Sequence, residues 1–171
     1  MKQKFIDLYM DFAQRVSELS HARRLQVGAV IVKDDTVISY GYNGMPAGWD
    51  NDCEYKDYDL ARDFNGNYFP GSEVEYPLED ERGRYRLKTR PEVLHAESNA
   101  ISKLAKSTNG GLGADIFITH APCMDCAKLI YQSGIRRVFF NQNYRDDSGT
   151  EFLKKGNVNV EQYPNKIQGS S

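Results

Sequence analysis

Cysteine is scarce, with three residues in 171 (Cys53, Cys123 and Cys126). That is too few for a disulfide framework in a chain of this size and suits a reducing, cytosolic setting. Long apolar runs are missing as well. Mean hydropathy is −0.64, and no stretch nears the roughly 20 apolar residues that a membrane span needs. Neither sign of charge dominates: 22 Lys and Arg against 24 Asp and Glu leave a formal net charge of −2. A pI near 5.9 disfavours a broad nucleic-acid surface but leaves room for a local basic pocket. Asp7 and Asp11 interrupt the first apolar run, so no secretory signal is expected. Repeats and low-complexity tracts are absent. What is present is 40% hydrophobic and 12% aromatic residues, enough for one ordinary domain with its own core and contrary to a disordered chain.

Phe5, Leu8, Tyr9, Phe12, Val16 and Leu19 recur at helical steps with charges between them, which predicts an amphipathic first helix. Two β-branched runs, 26–32 and 36–40, flank Lys33-Asp34-Asp35 and read as strands joined by a tight polar turn. Residues 41–46, Gly-Tyr-Asn-Gly-Met-Pro, must be a loop. From about 50 to 90 the chain is dense in Asp, Glu, Tyr and Arg with no sustained period, and reads as an insertion packed by its aromatics. The helical period returns over 94–106 and ends in a Gly-rich turn. A strand is expected over 114–119, a helix from Pro122 as its first residue to about 132, and a strand over 135–140. A short helix over 148–155 and a frayed tail complete the reading. This alternation predicts an α/β sandwich with a mixed sheet: the first strand pair antiparallel, the later helix-connected strands parallel.

Two fragments carry chemistry, His95-Ala96-Glu97 and Pro122-Cys123-Met124-Asp125-Cys126. Alone, the CxxC reads equally as a redox pair, a structural zinc knuckle or chance. Together they offer one imidazole and two sulfurs, and no fourth cysteine sits nearby in sequence. Structural zinc sites close the tetrahedron with protein ligands, whereas catalytic sites keep three and leave one position open. Cys123 and Cys126 share one side of a helix's first turn, where the unpaired N–H groups and the macrodipole favour thiolate. Glu97 stands about 200° round the axis from His95 at 100° per residue, yet at an opening turn both can reach one pocket. It reads as the base beside a zinc-activated water, against the alternative of a solvated first-turn carboxylate.

HxE followed by PCxxC matches the pattern of zinc nucleobase deaminases. With Val27-Gly-Ala-Val30, the loop 41–46 and the stretch 121–130 followed by Gly134-Ile135, the chain resembles the deoxycytidylate (dCMP) deaminases over about residues 5–155. The resemblance implies one zinc-dependent deaminase domain over 1–171, inserted at about 50–90. It also implies a three-layer α/β/α sandwich around a central mixed five-stranded sheet. Zn2+ would sit on His95, Cys123 and Cys126. The activated water would attack C4 of the cytosine, with Glu97 protonating N3 and then the departing amine, giving dUMP and ammonia for dTTP supply. The N–H of Ala96 would hold the base O2, the carbonyl of Ala121 would meet the amino group, and Asn43 would contact the sugar. Arg24 and Arg145, ahead of Arg23, are the phosphate candidates, and Tyr144 would stack on the base. Gly41, Tyr42, Asn43, Gly44 and Met45 resemble an effector loop, with dCTP activating, dTTP inhibiting and Mg2+ on the triphosphate. A cytoplasmic homo-oligomer, a hexamer in this family, is expected; for a viral protein the compartment is the host cytoplasm.

Some phage members carry a second, structural zinc. Here only His21 and Cys53 could serve, since Tyr85 and Val93 occupy the remaining positions, so one zinc per chain is expected. His120 is expected to be packed or hydrogen-bonded rather than a ligand, His21 a surface histidine and Cys53 a lone thiol. Trp49 is expected to anchor its loop, Arg136 and Arg137 to have no site role, and the charged run 79–90 to be a solvated surface. Competing functions are a deaminase of dCTP or another cytosine nucleotide, a tRNA or single-strand deaminase needing a polyanion track, and a non-catalytic zinc scaffold.

Overall fold

The computed structural model describes residues 1–58, 65–68 and 70–163. The first helix, α1 (Gln3–Ser17), precedes the hairpin β1 (Gly28–Lys33) and β2 (Thr36–Tyr42). Asp34 and Asp35 both take left-handed φ values, 49° and 57°, as a primed two-residue turn requires. The stretch expected as an insertion contains β3 (Glu54–Tyr58), a one-turn α2 (Ser72–Glu75), β4 (Leu78–Asp80) and β5 (Gly83–Thr89). Then follow α3 (Ala96–Leu104), β6 (Asp115–His120), α4 (Met124–Gln132), β7 (Arg137–Gln142), α5 (Ser148–Lys155) and β8 (Asn159–Gln162).

The main sheet has the order β2-β1-β6-β7-β8. β1 is antiparallel to both β2 and β6, whereas β6, β7 and β8 run parallel. The sheet is mixed, as the connecting helices predict. Its central strands β1 and β6 are buried along nearly their whole length, which is why they read as continuous apolar runs rather than alternating ones. One face (Val30, Val32, Phe117, Phe139) packs on α1, with Phe117 and Phe139 stacked 4.8 Å apart. The opposite face (Ala29, Ile31, Ile116, Ile118, Val138) packs under α3, α4 and α5. The result is the three-layer α/β/α sandwich.

The described part of this stretch carries more regular structure than its composition suggests. β3, β5 and β4 form a second, antiparallel three-stranded sheet, so residues 79–90, expected as a solvated surface, supply two of its strands. The expected aromatic and ionic packing holds it. Tyr58 packs on Tyr85, Arg82 lies over Tyr58, Arg84 over Tyr68 and Arg86 over Tyr76, and ion pairs join Lys56 to Asp80 and Arg86 to Asp57 and Glu75. Residues 159–162, expected to fray, instead pair with β7; residues 164–171 lie outside the described residues. Trp49 is 58% exposed and does not anchor its loop.

Two glycines let helices touch the sheet backbone. A Cβ on Gly28 would lie 2.1 Å from the Ala13 carbonyl oxygen in α1, and one on Gly41 would lie 2.4 Å from that of Ala96 in α3. Gly28→Val is therefore expected to cost about 2–3 kcal/mol by overpacking, read as a lower urea midpoint at unchanged slope. Gly110→Ala, with open space at its Cβ, is the near-neutral control.

Candidate active site

Helices α3 and α4 begin side by side, and their capping positions carry the chemistry. His95 is the N-cap of α3 and Cys123 the N-cap of α4, both with extended dihedrals and neither making the usual side-chain cap. Pro122 therefore lies outside the helix that it was expected to open, because the chain is still extended at Cys123 (ψ 170°). The missing caps leave imidazole and thiol free to point at each other. His95 Nδ1 lies 3.5 Å from Cys123 Sγ and 3.4 Å from Cys126 Sγ.

That spacing fits zinc. With Zn–S near 2.3 Å and Zn–N near 2.0–2.1 Å, tetrahedral angles place N and S roughly 3.6 Å apart. His95, Cys123 and Cys126 form the one cluster of three or more such donors among the described residues. His21 is exposed and away from it, and Cys53 is buried with its thiol directed to the Asn51 carbonyl at 3.5 Å.

Electrostatics sharpen the division of roles. Hydrogen bonds from Cys126 and then His95 lower the Cys123 thiol to about 4, while the bond to Cys123 and then burial push Cys126 up. The Cys123 bond raises His95. Both helix N-termini add favourable potential for an anionic sulfur. Glu97, 4% exposed in the first turn of α3, is pushed up to about 7 by burial, against the opposing pull of its own backbone N–H and of His95. A carboxyl poised there can both take and give a proton near neutral pH. His95 belongs to the cap and Glu97 to the helix, which resolves the 200° separation.

These groups open into a cleft of about 430 Å³. His95, Cys123 and Glu97 line it, with Cys126 behind them, and so do Arg24, Asn43, Ala96, Ala121, Tyr144 and Arg145. Ala96 is the first residue of α3, so its N–H has no intrahelical acceptor. Asn43 has a structural duty: its side chain accepts from Val27 N and donates to the Leu25 carbonyl, both at 2.8 Å. Arg24 and Arg145 have no carboxylate within ion-pair distance among the described residues, whereas Arg23 is paired with Asp52 and Glu54. The other loop residues lie off the cleft. Gly41 is pressed under α3, Tyr42 is half-buried against the α1 side of the core, and Gly44 bridges Leu94. Met45 is half-buried.

Sequence reasoning missed several lining residues. Glu54 and Thr89 come from the second sheet, and Gln142 and Asn143 from the end of β7; no local motif marks them. His120 bonds Thr119 Oγ1 at 3.1 Å, as expected, but also lines the cleft, and burial lowers its pKa. Arg136 and Arg137 hold the buried Asp115 away from the cleft.

Comparison with known proteins agrees with this geometry. Residues 3–142 match the family model for the cytidine and deoxycytidylate deaminase zinc-binding region, and the chain belongs to that family. It is 33% identical to the deoxycytidylate deaminase of enterobacteria phage T4 over 171 aligned positions, covering 92% of this chain and 89% of that protein. It is 32% identical to the phage T2 deoxycytidylate deaminase, covering 79% and 78%. The crystal structure of the cyanophage S-TIM5 dCMP deaminase in complex with dCMP and dUMP superposes with a TM-score of 0.74 at 34% identity, covering 95% of this chain and 99% of that one.

A third glycine contact bears on the site itself. A Cβ on Gly149, near the start of α5, would lie 2.1 Å from the Pro122 carbonyl and 2.9 Å from the Cys123 carbonyl carbon and oxygen. Gly149→Ala is expected to displace that backbone and weaken zinc binding at least about tenfold, measured by competition with a chromogenic chelator; wild-type affinity would contradict it.

Proposed function

We propose that this chain hydrolyses dCMP to dUMP and ammonia. The observation that carries the reading is a three-donor cluster opening on a cleft that also holds a buried carboxyl and two arginines without carboxylate partners among the described residues. His95 Nδ1, Cys123 Sγ and Cys126 Sγ are assigned as the donors for one Zn2+ per chain. Bound there, zinc supplies Lewis-acid activation of water. In the net reaction a C4–O bond forms, the C4–N4 bond breaks and nitrogen leaves as ammonia. Glu97 is assigned to accept one proton of the attacking water and deliver it to N3, and later to carry the remaining proton, from the new C4 hydroxyl, to the departing amine. The unpaired N–H of Ala96 would hold O2 of the base, and the Ala121 carbonyl would receive its amino group. Asn43, while bracing residues 25–27, would meet the sugar; Arg24 and Arg145 would share the phosphate, with Tyr144 stacking on the base.

The same reading includes regulation by dCTP and dTTP, Mg2+ accompanying the triphosphate, through residues 41–45. The Gly44–Leu94 bridge, one residue from His95, supports a path from that loop to the centre. It also includes assembly into a cytoplasmic homo-oligomer, a hexamer, which light scattering after gel filtration would check. No helix among the described residues is long and apolar enough to cross a membrane.

Ammonia release from zinc-loaded protein supplied in parallel with dCMP, dCTP, cytidine and a single-stranded oligonucleotide tests the substrate. The expected order puts dCMP first; release from the oligonucleotide alone would overturn it. Glu97→Gln should keep the fold and zinc while lowering turnover by about two to four orders of magnitude. Elemental analysis should find about one zinc per chain, lost in His95→Ala, and two equivalents would refute the count.

A further inference from the structure

Glu54 and Thr89 face each other as the end rung of the β3–β5 pair, at the margin of the second sheet that reaches the cleft. Both hold the Arg23-Arg24 segment. The Glu54 carboxylate, 1% exposed, accepts the backbone N–H of Arg23 at 3.0 and 3.2 Å and that of Arg24 at 3.2 Å. It also draws the Arg23 guanidinium to 3.5 Å. Thr89 Oγ1 accepts a hydrogen bond from Arg24 Nη1 at 2.9 Å.

The consequences for the two neighbouring arginines are opposite. Arg23 is neutralised by carboxylates. Arg24 is fixed by its backbone and by a neutral hydroxyl and has no carboxylate within ion-pair distance among the described residues, so its charge is unquenched by them and four of its five N–H donors face no other described partner. A guanidinium held in place by an uncharged partner loses less rotamer entropy when an anion arrives.

We propose that Glu54 and Thr89 are positioning residues that aim Arg24 at the phosphate of the nucleotide, so that the second sheet sets the preference for nucleotide over nucleoside. The proposal rests on the dCMP reading given above. Glu54 acts by orienting the 22–24 backbone and Thr89 by orienting the guanidinium; neither touches the reacting atoms.

The test is steady-state kinetics of zinc-loaded protein on dCMP and on deoxycytidine, which lacks the phosphate. Thr89→Val, which keeps the side-chain shape but removes the acceptor, is expected to raise KM for dCMP about five- to tenfold, to leave deoxycytidine kinetics within twofold, and to be rescued by Thr89→Ser. Glu54→Gln is expected to act in the same direction. In an Arg24→Ala background, itself weaker for dCMP, Thr89→Val should have no further effect. An equal loss on both substrates, or additive losses from Arg24→Ala and Thr89→Val, would overturn the proposal while leaving wild-type dCMP turnover intact. A wild-type protein that releases no ammonia from dCMP would instead overturn the substrate reading, and this proposal with it.

Discussion

The site depends on two helix N-termini meeting without their usual caps. The opening turns of α3 and α4 each leave backbone N–H groups that a Ser or Asp side chain would ordinarily satisfy. Here the cap positions are His95 and Cys123, and their side chains are directed at each other and at Cys126 instead. The stabilisation forgone at the caps leaves a favourable field for negative sulfur at the mouth of a cleft. The main sheet makes the meeting possible, since α3 and α4 lie on the same face of the β1, β6 and β7 core.

Burial then differentiates groups of similar intrinsic chemistry. Two sulfurs three residues apart end with different proton affinities: the bonds from Cys126 and His95 hold Cys123 low, whereas the bond to Cys123 and then deeper burial hold Cys126 up. Glu97, enclosed in the first turn of α3, keeps its proton far longer than a surface glutamate. Adjacent exposed arginines diverge by pairing instead, one held by carboxylates and the other by a neutral hydroxyl at the cleft. Position in the fold, more than residue type, decides the role.

Much of this was legible in the chain. The runs that became β1, β6 and β7 are continuous and apolar because both faces are covered, and HxE with PCxxC announced the donor cluster and the buried acid. The second sheet was not legible, because its Tyr, Arg and Lys side chains lay their stems and rings on one another and so blur the two-residue alternation. β8 escaped because Asn159–Gln162 carries a single apolar residue and is recruited by pairing with β7. Glu54 and Thr89 escaped for a third reason: they meet Arg24 across 30 and 65 positions of chain, and no spacing rule reaches so far.

The second sheet has a consequence of its own. Its strands are short and mostly half-buried, and they cling through rings and charges at the surface rather than through a deep apolar interior. Such a unit has a lower free energy of local opening than the sandwich beside it. On warming, its strands are the first to part, while the sulfur and imidazole donors, anchored in the larger body, stay assembled. On the phosphate role proposed for Arg24, a molecule loosened at that rung would forfeit its grip on the anionic end of a ligand before it lost the donors of its metal site.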